Sequence, residues 1–289
     1  MTSSSGLLLV DKPEGFTSHD VVAKLRGIVG TRKIGHAGTL DPMATGLLIL
    51  GVDSGTRLLQ YLLGKDKTYR ATIRLGETTQ SDDADSPVEQ AIDASSISTL
   101  EMDQAINELT GEIEQIPSSV SAKKIDGKRA YDLVREGKEV QLKPKSITIH
   151  SFERLGEPVV SGQAVEVEVE VRCSSGTYIR ALARDIGIEL KVGGHLTALR
   201  RTDISEFKVS DATTMEQEPV VVPMIEAATS LFSATEITSD QETDLRHGKR
   251  IVLESAASNL AATRDGALIA LIESVGSEYK SMAVFEAQA

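Results

Sequence analysis

One carboxylate stands out for its surroundings. Asp41 lies in GHAGTLDPMATGLLIL, residues 35–50, among Gly35, Gly38 and Gly46 and directly before Pro42. Glycine lets the backbone take positive φ and lets another chain approach closely. Pro42 fixes its own φ and pushes Asp41 out of the helical region. The apolar run Leu47, Leu48, Ile49 and Leu50 then reads as a buried strand that anchors the far side. A carboxylate aimed by so stiff a backbone is suited to reaction with a bound partner. The bland alternative is an Asx-type turn in which Asp41 only bonds neighbouring amides.

Other chemistries lack their residues. No G-x-S-x-G elbow supports a serine triad. Histidines 19, 36, 150, 195 and 247 are scattered without H-x-x-x-H spacing. Neither a G-x-x-x-x-G-K-[ST] loop nor a G-x-G-x-x-G turn occurs. A single cysteine, Cys173, excludes an intramolecular disulfide framework and leaves too few thiolates for a zinc finger. The chain offers one well-placed carboxylate, several arginines, a tyrosine and no cofactor motif.

The elements that must hold Asp41 follow from periodicity. LLLV, 7–10, reads as a short buried strand and DKPEG as a turn. Thr17 reads as an N-cap with Asp20 three residues on, opening a helix whose inward face is Val21, Val22, Leu25, Ile28 and Val29. Arg26, Arg32 and Lys33 surround its end. GTRLLQYLL reads as a helix with Leu58, Leu59, Leu62 and Leu63 inward. KTYRATIRL alternates, with Tyr69, Ala71, Ile73 and Leu75 on one face and Arg70, Thr72 and Arg74 on the other. TTQSDDADSPVEQAID, 78–93, reads as an exposed acidic loop, and 99–110 as a helix. VEVEVEVRC, 165–173, is a strict period-2 strand. SSGTYIR turns into a helix with Ile179, Leu182, Ile186 and Leu190 inward, and GGHLTALRR into a further strand. Residues 116–146 lack a clear period and carry Lys123, Lys124, Lys128 and Arg129, which suggests a basic insert with a helix near 130–136. After about residue 209 the tail reads as short strands, KRIVL, ALIALIE and SMAVF.

At 289 residues and 40% hydrophobic, the chain is long enough for one large domain and a small one. No stretch approaches the roughly 20 apolar residues of a membrane span. MTSSSGLLLVDKPEG has no basic region and too short an apolar run for a signal peptide, so a cytoplasmic protein is expected. The net charge of −12 is unevenly spread. Residues 81–119 hold ten acids and no base, whereas 120–154 carry a net +4 and 1–80 a net +3. A polyanion would meet these local basic faces rather than the net charge.

Several ordered segments together resemble the TruB family, the bacterial tRNA pseudouridine-55 synthases. DKPEGFTSHDVV at 11–22, GHAGTLDPMATGLL at 35–48, KTYRATIRLG at 67–76, CSSGTYIRALARDIG at 173–187 and HLTALRR at 195–201 each resemble a family motif. LRHGKRI and GALIALIE in the tail are similar, less specifically, to a PUA-type RNA-binding domain. The resemblance implies an α+β fold with a mixed, largely antiparallel sheet flanked by helices, over residues 1–228. A small β-rich PUA-like domain over 229–289 completes it. It implies Asp41 as nucleophile, Arg180 paired with it, and Tyr69 stacked on the extruded uracil and handling the C5 proton. Ile179 and Leu199 would line the base pocket, and His36 would fill the RNA stack where the uridine leaves. Lys12 and Pro13 would support the catalytic loop from the first turn. Lys67, Arg70, Lys123, Lys124, Lys128 and Arg129 would meet phosphates.

The implied activity is isomerisation of uridine 55 in the tRNA T-loop by base flipping, with no cofactor and no metal, and a tRNA-folding role besides. The implied partner is the T-arm stem-loop, clamped by the insert at about 120–146. A monomer with no obligate protein partner is expected. The rivals are a guide-RNA-dependent, dyskerin-like relative, which lacks such a clamp; a non-catalytic RNA chaperone, which would not need Asp41, Tyr69 and Arg180 together; and a nucleoside hydrolase, which would not bind tRNA. The acidic tail, net −8 over 209–289, departs from an RNA-binding module and leaves Arg246, His247, Lys249 and Arg250 as its one basic patch.

Overall fold

The computed structural model describes residues 5–119 and 142–286, with the backbone of 124–125 and 128–129. The helix expected near 130–136 and Lys123 lie outside the described residues, as do the side chains of Lys124, Lys128 and Arg129.

In chain order the elements begin with β1 (Gly6–Lys12), α1 (Ser18–Val29), β2 (Ile34–Ala37) and β3 (Thr45–Val52). A 3-10 turn, Asp53–Leu58, leads into α2 (Leu59–Leu63) and then β4 (Lys67–Leu75). Next come β5 (Glu77–Thr79), β6 (Val88–Ala91), α3 (Thr99–Glu108), β7 (Gly111–Gln115), β8 (Lys124–Ile125) and β9 (Lys128–Arg129). They are followed by β10 (Lys145–Ser161), β11 (Ala164–Cys173), α4 (Ile179–Glu189), β12 (Gly194–Ile204) and β13 (Phe207–Lys208). The chain closes with β14 (Val221–Pro223), α5 (Met224–Thr229), β15 (Ser233–Glu236), α6 (Ser239–Arg246), β16 (Asn259–Arg264), β17 (Ala267–Val275) and β18 (Glu278–Val284). The fold is α+β with largely antiparallel sheets, as the family resemblance implies.

Two compact units divide the chain. The first comprises Met1–Pro42, Gly46–Leu63 and Glu206–Ala289. In it β1 pairs antiparallel with β14 on one side and β3 on the other, with Leu8 opposite Leu50 and Lys12 opposite Gly46. β2 pairs with β3, His36 opposite Leu50. Leu47, Leu48, Ile49 and Leu50 are fully buried. β3 therefore leaves the Asp41 loop as a rigid rod. α1 is capped as its sequence predicts. Thr17 and Asp20 form a reciprocal capping box, and Gly30 closes the helix in the left-handed region at φ 78°. Ile28, expected inward, is 48% exposed, because the helix has turned its face away from the core by its last turn. Leu63 at the end of α2 is likewise exposed rather than inward.

The same unit holds a second sheet, β15-β16-β17-β18, in which β15 and β16 are parallel and the other pairs antiparallel. Its own core gathers Ile237, Leu245, Ile251, Leu260, Ile269, Ile272 and Tyr279. The tail is less purely β than its sequence suggests. LRHGKRI begins inside α6, which carries its own capping box of Thr238 and Gln241, and Ile251 contributes one isolated bridge to Tyr279.

The second unit comprises Met43–Thr45 and Gly64–Ser205. Its sheet runs β12-β4-β11-β10-β7, antiparallel throughout. The strict alternation of β11 and β4 buries Val165, Val167, Val169 and Val171 beside Tyr69, Ala71, Ile73 and Leu75. α4 packs hard against the start of β12. A Cβ on Gly187 would lie 2.2 Å from the Gly193 carbonyl carbon, so only glycine permits that approach. Among the described residues, no helix is long and apolar enough to cross a membrane.

Candidate active site

Asp41 is half-buried in the loop that joins β2 to β3. The loop is shorter than the sequence suggests, because Gly35 and His36 belong to β2. Gly38 and Gly46 take positive φ, 79° and 98°, on either side of the carboxylate. Both chain neighbours of Asp41 are pinned. Ser18, the buried first residue of α1, accepts the Leu40 N–H at 2.9 Å and donates to the Leu40 carbonyl at 3.2 Å. Lys12 is fully buried, and its ammonium donates to the carbonyls of Phe16 at 2.6 Å, Pro13 at 3.0 Å and Pro42 at 3.2 Å. The Gly15 N–H adds a bond to Pro42 O at 2.9 Å. A buried ammonium is tolerated only when its donors are satisfied, so Lys12 ties the first turn to the loop rather than reaching outward. His36 is half-buried on β2, its ring edge-on to His19 with centroids 5.5 Å apart.

In the second unit Tyr69 is 8% exposed on β4, opposite Val171 on β11 and Arg201 on β12. Leu199 pairs with Ala71 on the same face as Tyr69. Leu199 and Ile179, the first residue of α4, are both buried. Arg180 follows at the second position of α4. Its guanidinium donates to Ser81 O at 2.8 Å and meets the Asp83 carboxylate at 3.2 Å, with both side chains almost wholly buried. Asp83 also accepts from the Ser81 hydroxyl and from the Asp85 N–H at 3.1 Å.

This corrects the reading of 78–93 as an exposed loop. Thr79, Ser81, Asp82 and Asp83 are buried, and Leu196 N–H bonds Asp82 O at 3.0 Å. The acids are drawn in by two guanidiniums one helical turn apart. Arg184 pairs with Asp82 at 3.3 Å and donates to Ile116 O at 2.7 Å. Burial pushes the carboxyls of Asp82 and Asp185 above their ordinary range, and the Arg184 charge works against that rise. A second fastening holds the start of α4. Tyr178 caps it without a side-chain bond of its own. The buried Gln115 amide instead accepts the Tyr178 N–H at 2.9 Å and donates to its carbonyl at 3.0 Å.

Ser18, Gln115, Asp82, Asp83 and the fully buried Arg201 are residues that sequence reasoning missed. One signal was available for the acids: Arg180 and Arg184 lie one turn apart in a helix whose inward face is Ile179, Leu182 and Ile186, and guanidiniums drawn towards a core need counter-charges.

The basic residues fall into different surroundings. Lys67 is buried, donates to Lys65 O at 2.7 Å, and is pushed down to about 8 by burial with the Arg201 charge adding to it. Cys173 is buried beside it, and burial pushes its thiol up to about 11, which leaves it unreactive. Arg70 is exposed but paired with Glu170 at 2.9 Å. In the tail, Arg246, Lys249 and Arg250 pair with Glu242, Asp244 and Glu278.

With the geometry in place, comparison adds the lineage. The sequence profile of the TruB family pseudouridylate synthase N-terminal domain matches residues 26–179. The profile of the tRNA pseudouridylate synthase B C-terminal domain matches 180–220. A protein of Arthrobacter sp. named tRNA pseudouridine synthase B is 48% identical over 295 residues, covering 97% of this chain and 96% of its own. Its namesake in Leifsonia xyli is 49% identical, covering 98% and 97%. Among solved structures, an H/ACA RNP bound to a substrate RNA containing 2'-deoxyuridine superposes with a TM-score of 0.72 at 23% identity, covering 98% of this chain and 85% of that one. A Cbf5-Nop10-Gar1 complex gives 0.71 at 24%, covering 98% and 84%. These two share the fold. The profiles and the relatives together place the chain in the TruB family of pseudouridylate synthases.

Proposed function

We propose that this chain isomerises uridine to pseudouridine at position 55 in the T-loop of tRNA, with Asp41 as the reacting carboxylate and without a cofactor. The relatives named tRNA pseudouridine synthase B support the substrate class. The observation that carries the chemistry is the clamp on Leu40 and Pro42, which aims the one residue between them. The reaction breaks the N1–C1′ bond, turns the uracil and joins C5 to C1′. N1 gains a proton and C5 loses one. A carboxylate serves by attacking C1′, by adding to C6, or by taking the C2′ proton.

The other roles follow from the surroundings. Arg180 pairs with Asp41 to keep it ionised, and Asp83 with Ser81 O fixes the guanidinium for that task. Tyr69 stacks on the everted base and handles the C5 proton, with Ile179 and Leu199 lining the pocket. His36 fills the vacated position in the RNA stack. Lys12 holds the loop from inside. Its burial, and that of Lys67, argue against phosphate contact for either. Lys123, Lys124, Lys128 and Arg129 clamp the T-arm stem. The chain acts as a cytoplasmic monomer and also assists tRNA folding. The sheet of β15 to β18 with its separate core supports a PUA-like domain beginning near residue 229.

The test uses tRNA tritiated at uracil C5, since isomerisation must release that hydrogen. Wild-type protein should release it from a transcript labelled only at uridine 55, without added metal or nucleotide. A transcript labelled everywhere except that position should release none. Release from the second transcript alone would refute the assigned position.

A further inference from the structure

The protein needs a surface that holds RNA beside His36, and most exposed guanidiniums are already neutralised. Arg70 meets Glu170, Arg74 meets Glu77 and Glu166, Arg246 meets Glu242, and Arg250 meets Glu278. One group differs. Lys24, Arg26, Arg32 and Lys33 are all exposed, and none has a carboxylate partner among the described residues. Lys24 lies 6.0 Å over the Phe16 ring, and Arg26 donates to Ile34 O at 3.0 Å. The nearby acids are occupied: Asp20 accepts from Thr17, and Asp53 accepts the Thr31 hydroxyl at 2.8 Å.

Two contacts fix how these cations stand to His36. At one end of the α1–β2 face, Arg26 touches Ile34; at the other, the His19 ring touches the His36 ring. His19 to Arg26 spans about 10 Å of helix at ~1.5 Å per residue. Arg26 and His36 therefore lie towards opposite ends of one short face, Arg32 and Lys33 lead into β2 at the Arg26 end, and Lys24 reaches back over Phe16 towards the His36 end.

We propose that the α1–β2 face is a phosphate-binding surface, in which Lys24, Arg32 and Lys33 hold the RNA strand that flanks the everted nucleotide. This rests on the proposed function, because His36 marks the point from which the strand departs. Arg26 also serves the last turn of α1, where a cation offsets the helix dipole. Arg32 and Lys33 sit beyond that helix end, and Lys24 lies only over the Phe16 ring. The contacts would be to backbone phosphates and would carry register rather than sequence.

The test compares two variants of the whole protein, Lys24→Gln with Arg32→Gln and Lys33→Gln, and Lys280→Gln with Glu273→Gln, which removes an exposed ion pair. RNA dissociation constants are measured with unmodified T-arm RNA over a range of salt. Each lost phosphate contact takes roughly 0.7–0.9 from the slope of log K against log salt, so the triple variant should lose about 2. The Lys280–Glu273 variant should lose almost nothing. Turnover at saturating RNA should match wild type in the triple variant. An unchanged slope in the triple variant would overturn the surface, and so would an equal loss in both variants. Neither result bears on tritium release by wild type, which tests the activity separately.

Discussion

Asp41 and Arg180 are held in opposite ways. Around Asp41 the restraint falls on the backbone. Ser18 grips Leu40, and Lys12 with Gly15 grips Pro42. Around Arg180 the restraint falls on the side chain itself, whose guanidinium lies between Ser81 O and the Asp83 carboxylate. The contrast suits the two proposed roles. A carboxylate that forms and breaks bonds is aimed through its neighbours, and a cation that supplies charge is fixed by its own hydrogen bonds.

The sharpest way to break this comparison is Asp83→Ala. It removes the carboxylate that grips the buried Arg180 guanidinium, at a cost of about 3–5 kcal/mol to folding stability. Urea unfolding measures that loss, and turnover should fall while tRNA affinity holds. A variant as stable and active as wild type would show that Arg180 needs no grip. Lys12→Met is expected to cost about 3 kcal/mol, because the Phe16, Pro13 and Pro42 carbonyls lose their shared donor. If its stability falls but turnover per folded molecule does not, the loop clamp is structural only.

Lys67 sharpens the contrast between buried cations. Burial, with the Arg201 charge adding to it, brings it down to about 8 from 10.5. Folded protein then binds fewer protons than unfolded between pH of about 8 and 10.5, so stability rises with pH across that window. Relative to Lys67→Met, wild type should gain on the order of 2 kcal/mol in denaturant titrations. Parallel profiles would contradict this. The smallest effect is Ser18→Ala, which removes two bonds to Leu40 and should cost about 1–2 kcal/mol. Turnover should fall with KM unchanged. The reverse pattern, a raised KM at full turnover, would assign Ser18 to binding instead.

The same contrast explains what was legible in the sequence. Backbone devices announce themselves locally. The glycines around Asp41, the Thr17–Asp20 capping box, the Gly30 stop and the period-2 valines of β11 each act within a few residues of their own position. Side-chain devices do not. Asp83 and Arg180 are 97 residues apart, and Gln115 meets Tyr178 across 63. An acidic Ser/Thr-rich run with no base in it reads as solvated until the arginines that bury it are placed. Ile28 and Leu63 erred for a different reason: helical period predicts a face, but not where the core beneath that face ends. Roles for Tyr69, Ile179 and Leu199 came from resemblance, since burial alone fits core packing equally well.

The central claim is that a carboxylate aimed by its backbone performs the isomerisation. Single-turnover release of tritium from C5-labelled tRNA by Asp41→Asn tests it most directly, with tRNA affinity and unfolding midpoint measured on the same preparation. The substitution keeps the shape and leaves the bonds to Leu40 and Pro42 untouched. Release should vanish while affinity and midpoint stay at wild-type values. Release at the wild-type rate from a folded, tRNA-bound variant would contradict the account.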